Sequence, residues 1–123
     1  MKVSGIDATY YIVKDVTALT PFYADLLGAQ PDAHWENQLS EWTFADGNSF
    51  GLYQTSSGDK VANGCVMFAV DDVAAAVAAG KSRNVHFHED GAVTDTPACH
   101  MAFGEDPDGN QFILHKRKAE TAG

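Results

Sequence analysis

FGEDPDGNQFILHKR, residues 103–117, decides how this chain is read. At its centre Asp106-Pro107-Asp108-Gly109-Asn110 is a turn: proline presets φ, and glycine supplies a positive φ that other residues resist. Before the turn runs HMAF. After it, Phe112 and Leu114 alternate with Gln111, Ile113 and His115, the period of a strand. The stretch therefore predicts two antiparallel strands, near 98–104 and 110–116. The same arrangement occurs earlier, where Phe44-Ala45-Asp46-Gly47-Asn48 lies between WTF and FGLY, predicting strands near 39–45 and 49–54.

A second pair of matches lies upstream of each turn. Ile12-Val13-Lys14-Asp15-Val16 corresponds to Ala69-Val70-Asp71-Asp72-Val73. Each follows a strand-like run, ATYYIV or CVMFAV, and each opens a helical stretch. Self-similarity at half the chain length indicates a duplicated unit. With further strands near 6–13, 33–37, 64–70 and 85–89, both halves read strand, helix, then three strands. The fold class is α+β, a single domain over 1–123 of two βαβββ modules in tandem. The first module spans 1–54, a polar linker 55–63, the second module 64–117, and a flexible tail 118–123.

The helices are expected over about 16–27 and 72–82. In the first, Val16, Leu19, Phe22, Tyr23, Leu26 and Leu27 share one face. Pro21 fits best at a first helical position, with Thr20 as N-cap and 16–19 as a preceding turn. Gly28 supplies a left-handed stop. The second helix begins at Asp71 or Asp72, tolerates Gly80 at about 1 kcal/mol relative to alanine, and stops at Asn84.

Composition narrows the function. Eight Lys+Arg against seventeen Asp+Glu leave a net charge of −9, which disfavours binding to a nucleic-acid backbone. Acidity draws cations, including cationic small molecules, and also serves solubility. No apolar run approaches the roughly 20 residues needed to cross a bilayer, and the opening MKVSGIDATYY is no signal segment. Cys65 and Cys99 match no short redox or zinc spacing, so reduced thiols in a cytoplasmic protein are expected, without membrane partners.

Four motifs in order, Val13-Lys14-Asp15-Val16, Phe22-Tyr23-x-x-Leu26-Leu27-Gly28, Val70-Asp71-Asp72-Val73 and Asp106-Pro107-Asp108-Gly109-Asn110, resemble the vicinal-oxygen-chelate superfamily. That superfamily includes glyoxalase I, bleomycin-resistance proteins, extradiol dioxygenases and fosfomycin-resistance enzymes. The resemblance covers about residues 5–116. It implies a cup-shaped sheet with helices outside, and frequently a homodimer. It also implies a divalent metal held by His on the first strand and Glu on the last strand of each module. Those positions here are Ala8, Gly51, Cys65 and Ile113. Alanine, glycine and isoleucine side chains offer no donor, and one cysteine makes no site. No metal and no cofactor is expected there.

Other residues suit the cup. Tyr10 shares the parity of Ala8, and Tyr53 that of Gly51; with Trp35 they are expected as aromatic walls, while Trp42 and Phe44 fit the core. In VHFHED, CHMAF and QFILH, the apolar sets Val85/Phe87, Cys99/Met101/Phe103 and Phe112/Leu114 are read as packing under the second helix. That reading turns His86, His88, His100 and His115 to the open side with Ile113. The plainer alternative is polar residues at strand ends. Cys65 is expected to line the cup.

The expected function is metal-independent binding of a small organic ligand, planar or cationic, resembling the bleomycin-resistance branch. The ligand-contacting residues are Tyr10, Trp35, Tyr53, Cys65, His86, His100, Ile113 and His115. The alternative is a glyoxalase- or dioxygenase-like enzyme with a metal shifted onto His86, His100 and His115.

Overall fold

The computed structural model describes residues 1–55 and 63–118, which leaves most of the expected linker (55–63) and tail (118–123) outside the described residues. The chain packs as two compact units, Met1–Asn63 and Gly64–Gly123. In the first, β1 (Ala8–Val13), α1 (Val16–Leu27), β2 (Ala33–Trp35), β3 (Leu39–Thr43) and β4 (Ser49–Gln54) form a mixed sheet of order β1-β4-β3-β2. The second contains β5 (Val66–Ala69), α2 (Val73–Lys81), β6 (His86–Phe87), β7 (Thr94–Asp95), β8 (Cys99–Glu105) and β9 (Gln111–Arg117). Its order is β5-β9-β8-β6, with β7 added against β8. In both sheets the first strand lies parallel to the last, and every other pairing is antiparallel. The units are therefore two βαβββ modules of the same topology.

The helix starts follow one rule. Asp15 caps α1 by accepting a hydrogen bond from the Ala18 amide at 3.0 Å, and Asp72 caps α2 by accepting from the Ala75 amide at 3.0 Å. Each cap contributes about 1 kcal/mol. The N-cap of α1 is thus Asp15, not Thr20, and Pro21 lies inside the helix. Proline is tolerated because it and Thr17, whose carbonyl it leaves without an intrahelical amide, are both on the exposed side of the helix. Gly28 (φ 71) ends α1 in the left-handed region, and Asn84 (φ 64) turns the chain after α2, both as expected.

One face of each sheet is covered by its helix. In the first unit the rings of Tyr11, Trp42 and Phe50 pack around Tyr23 of α1, with centroids 5.1–6.4 Å apart. Trp42 is 2% exposed, and its indole N–H donates to the Ala29 carbonyl at 2.9 Å. Phe44, expected in the core, is instead exposed at the end of β3.

The second unit corrects the reading of β8. Ala102 and Gly104, not Met101 and Phe103, carry its covered face, opposite Leu114 and Phe112, while Cys99 at the start of the strand is buried. The bulky partners leave room only for small residues there. A Cβ on Gly104 would stand 2.7 Å from Phe112 Cζ, and one on Gly80 of α2 would stand 2.8 Å from Phe87 Cζ. The weak helix former Gly80 is thus the residue that lets α2 approach its sheet.

The strand expected over 85–89 is cut to His86–Phe87. Glu89 (φ 50), Asp90 (φ 56) and Gly91 (φ 78) are successive left-handed residues and turn the chain out of the sheet as a short 3-10 turn, His88–Gly91. The turn at 106–110 is held by buried Asp106, whose Oδ1 accepts from the amides of Asp108 (2.9 Å) and Asn110 (2.8 Å) while Oδ2 accepts from the Asn110 side chain (2.9 Å). Its carboxylate is structural.

A polar chain crosses the first unit. The Thr20 hydroxyl lies 2.6 Å from the Val16 carbonyl and 2.7 Å from Ser40 Oγ, which lies 2.6 Å from His34 Nδ1. A carbonyl only accepts, so the Thr20 proton points to Val16. Ser40 must then donate to Thr20, and Nδ1–H of His34 must donate to Ser40. Fully buried Ser40 has no proton left for the imidazole to remove, so this serine–histidine pair is not a nucleophile and its base.

Two outcomes test these arguments. Gly104→Ala is expected to destabilise the fold by about 1–3 kcal/mol in urea denaturation, because neither Phe112 nor the His86 carbonyl, 3.2 Å from the added Cβ, can yield freely. Long-range proton–nitrogen NMR correlations of neutral His34 are expected to show the proton on Nδ1. A proton on Nε2 would refute the direction of the chain.

Candidate functional site

The uncovered face of the first sheet gathers the aromatic residues singled out in the sequence. Register places Ile12, Tyr53, Leu39 and Trp35 side by side across β1, β4, β3 and β2. The neighbouring row is Tyr10, Gly51, Glu41 and Ala33, followed by Ala8, Ser49 and Thr43. Trp35 is 60% exposed and Tyr53 53%, with Tyr10 and Ile12 also exposed. Single exposed apolar residues are ordinary, but four on neighbouring strands of one face form a surface suited to a partner.

Glu41 lies inside this surface, and sequence reasoning did not single it out. Its parity with Leu39 and Thr43 in LSEWT was the available signal, but only the register opposite Gly51 brings it beside Tyr10. The Tyr10 hydroxyl donates to Glu41 Oε2, fixing both side chains. The result is an anchored carboxylate flanked by aromatic rings.

Gly51 makes that arrangement possible. The Tyr10 ring lies over it so closely that an added Cβ would stand 2.2 Å from Cε1. A carboxylate side chain at 51 and the Tyr10 ring in this position cannot coexist. Ala8, Gly51 and Ile113 offer no side-chain donor, and Cys65 is exposed with its thiol pKa raised by partial burial, which disfavours the thiolate a metal needs. The residues at the four positions do not fit the metal that the resemblance implies.

In the second unit the uncovered face contains Met67, Ile113 and Phe103 in one row and Ala69, His115, Met101 and Thr94 in the next. Glu105 pairs with Gln111 on one side and His86 on the other. Ile113, His115 and His86 thus share this face. His100 does not. It has the parity of Ala102 and Gly104 and pairs with Lys116 and Asp95. Its Nε2 is 3.3 Å from Asp95 Oδ1, which Lys118 Nζ reaches at 2.6 Å. The Lys118 hydrogen bond and charge, with a smaller contribution from His100, hold the Asp95 carboxyl below its ordinary pKa. A site on His86, His100 and His115 together is therefore not formed, because side chains on one strand alternate faces and His100 is on the wrong one. Among the described residues, no three His, Cys, Asp or Glu side chains are already gathered as a metal site. Cys99 is buried, with Sγ 3.3 Å from the Thr96 hydroxyl.

No helix of the described residues is long and apolar enough to cross a membrane. No curated protein matches the chain in sequence. Solved structures of similar fold include a glyoxalase/bleomycin resistance protein from Albidiferax ferrireducens T118, 21% identical over 92% of this chain and 98% of that one, with TM-score 0.74. A lactoylglutathione lyase from Agrobacterium tumefaciens is 17% identical, covering 94% and 96%, with TM-score 0.76. An oxidase, ChaP-H1, is 15% identical, covering 94% and 98%, with TM-score 0.71. At these identities the likeness is one of fold. The family description Glyoxalase/Bleomycin resistance protein/Dioxygenase superfamily matches residues 5–114. With the match spanning nearly all of both βαβββ modules, the chain belongs to the glyoxalase/bleomycin-resistance/dioxygenase superfamily.

Proposed function

We propose that this protein binds a small, planar organic cation on the uncovered face of its first sheet, without a metal at the four family positions. The observation that carries the reading is Glu41, held by the Tyr10 hydroxyl in a surface that also contains Tyr53 and Trp35. A flat ligand stacks on exposed rings, and a desolvated cation over a ring gains about 2 kcal/mol. The fixed carboxylate supplies a charge-assisted hydrogen bond to an amine or guanidine. The net charge of −9 raises the local concentration of such a ligand. Sequestration without transformation is the activity this reading favours, because Glu41 is held by the Tyr10 hydroxyl and is placed to bind charge rather than to move a proton.

A fluorescence-quenching screen of planar cations and their neutral isosteres tests the reading, with Trp35 as reporter. Saturable quenching by cations is expected, confirmed by calorimetry. Tyr53→Ala or Trp35→Ala is expected to weaken binding roughly three- to thirty-fold, the loss of about 0.7–2 kcal/mol. Glu41→Gln is expected to weaken cations while leaving neutral isosteres unchanged. Gly51→Ala is expected to push the Tyr10 ring aside and weaken both. Hits whose affinity survives Tyr53→Ala, Trp35→Ala and Glu41→Gln would place binding elsewhere and sink the proposal.

A further inference from the structure

The outer edge of the first sheet is closed at one residue by a side chain. β1 is an end strand of the order β1-β4-β3-β2, with β4 as its partner. On the side away from β4, the Ile12 amide donates to Asn63 Oδ1 at 2.8 Å, and Asn63 Nδ2 donates to the Ile12 carbonyl at 2.9 Å. Both residues belong to the first unit. The Asn63 amide thus stands in for the backbone of a neighbouring strand, offering one donor and one acceptor as a peptide group does. Its orientation is fixed by its partners, since the N–H needs an acceptor and the carbonyl a donor. The clasp also occupies a stretch of edge that is otherwise open to pairing with another chain.

Gly64 follows Asn63, and the two are the one Asn-Gly pair in the sequence. Asn63 is half-buried and Gly64 exposed, and a Cβ at Gly64 would meet nothing within 4 Å. Asparagine is thermolabile because its side-chain carbon is open to attack by the next backbone nitrogen. Glycine favours that attack, as a backbone without Cβ bends readily into the ring that forms. We propose that Asn63-Gly64 is a site of spontaneous deamidation, gated by the clasp on Ile12, and that conversion undoes the clasp. The Gly64 nitrogen loses its proton to solvent base and bonds to Asn63 Cγ. The Cγ–Nδ2 bond breaks, and Nδ2 takes a proton from water and leaves as ammonia, which closes a succinimide. Water then adds at one of the two ring carbonyls and breaks that carbon's bond to nitrogen, giving aspartate or isoaspartate. The sum is one water consumed and one ammonia released, with no change of oxidation state. While both hydrogen bonds hold, the side chain is not free to turn onto the Gly64 nitrogen. Releasing them is a local opening, far smaller than unfolding of the unit. After conversion a carboxylate, which only accepts, faces the Ile12 carbonyl where an N–H stood.

The test is peptide mapping by mass spectrometry of the full chain aged in mildly alkaline buffer across a urea series. Aspartate and isoaspartate are expected to accumulate at position 63 ahead of Asn37, Asn48, Asn84 and Asn110. The native rate is expected to lie at least about tenfold below that of the urea-unfolded chain and to stay level through low urea, as a local opening does. Gly64→Ala, whose Cβ has room, is expected to slow conversion in folded and unfolded chains alike. Ile12→Pro removes the N–H on the outer side of an edge strand, where proline is tolerated, and is expected to speed it. Circular-dichroism melts show whether Ile12→Pro folds, and the urea series reads the gate without it. Asn63→Asp makes the product directly and is expected to melt below wild type. The proposal is overturned by a folded chain that does not convert at 63, or by a native rate equal to the unfolded one. A rate that rises only with global unfolding, or an Asn63→Asp chain as stable as wild type, overturns it equally.

Discussion

Tyr23 of α1 is enclosed by Tyr11, Phe22, Trp42 and Phe50, one ring from each of three strands and one from its own helix. Large rings contribute the most buried apolar area per residue, and the edge-on geometries seen here add about 0.5–1.5 kcal/mol per pair. This cluster settles which face of the first sheet is covered. Because strand residues alternate, settling one face settles the other. Tyr10, Tyr53, Trp35 and Glu41 are outward because Tyr11, Phe50, Leu52, Ser40 and Trp42 are inward. A one-residue slip would exchange the two sets, burying a carboxylate and exposing four large apolar side chains.

The second unit solves the same problem with different volumes. Its helix is alanine-rich and short of large side chains, so the sheet supplies them: Phe68, Phe87, Phe112 and Leu114 fill the space beneath α2. Small residues then sit where the rings press, at Gly80 on the helix and Ala102 and Gly104 on β8. Packing density explains why the larger Met101 and Phe103 are displaced to the uncovered side. The duplicated topology is thus conserved between the halves while the distribution of bulk is not. The uncovered faces differ accordingly: aromatic with one anchored acid in the first unit, mixed thioether, phenyl and imidazole in the second.

At two places the protein has carboxylates and histidines in structural service. Asp106 closes the turn between β8 and β9 with three hydrogen bonds, and His34 terminates a chain of hydroxyls running from the Val16 carbonyl. Both are held by these bonds in structural roles. Glu41 differs: it stands on an uncovered face among groups that can meet a ligand. Three of the four family positions offer no side-chain donor, the fourth is an exposed cysteine, and the Tyr10 ring occupies the space above Gly51. Family membership alone therefore does not transfer a metal-dependent reaction to this chain.

The duplication, the two helices, the glycine turns and the α+β class were legible in the sequence, because periodicity, caps and positive-φ residues are local and appear in order along the chain. The alternation of the first module was legible too, since Tyr11, Trp42 and Phe50 fall at alternate positions of β1, β3 and β4 and pack inward together. The face of β8 was not, because hydrophobicity predicts burial only when volume is free. Which of CHMAF lies beneath the helix depends on the rings of Phe112 and Phe87, residues from other strands. His100 followed that strand to the other face. Glu41 and Glu105 were equally invisible, as a carboxylate on a strand reads as ordinary surface until register sets it opposite Gly51 or His86. Local sequence determines which elements form; cross-strand register, set by side-chain volume, decided which residues meet.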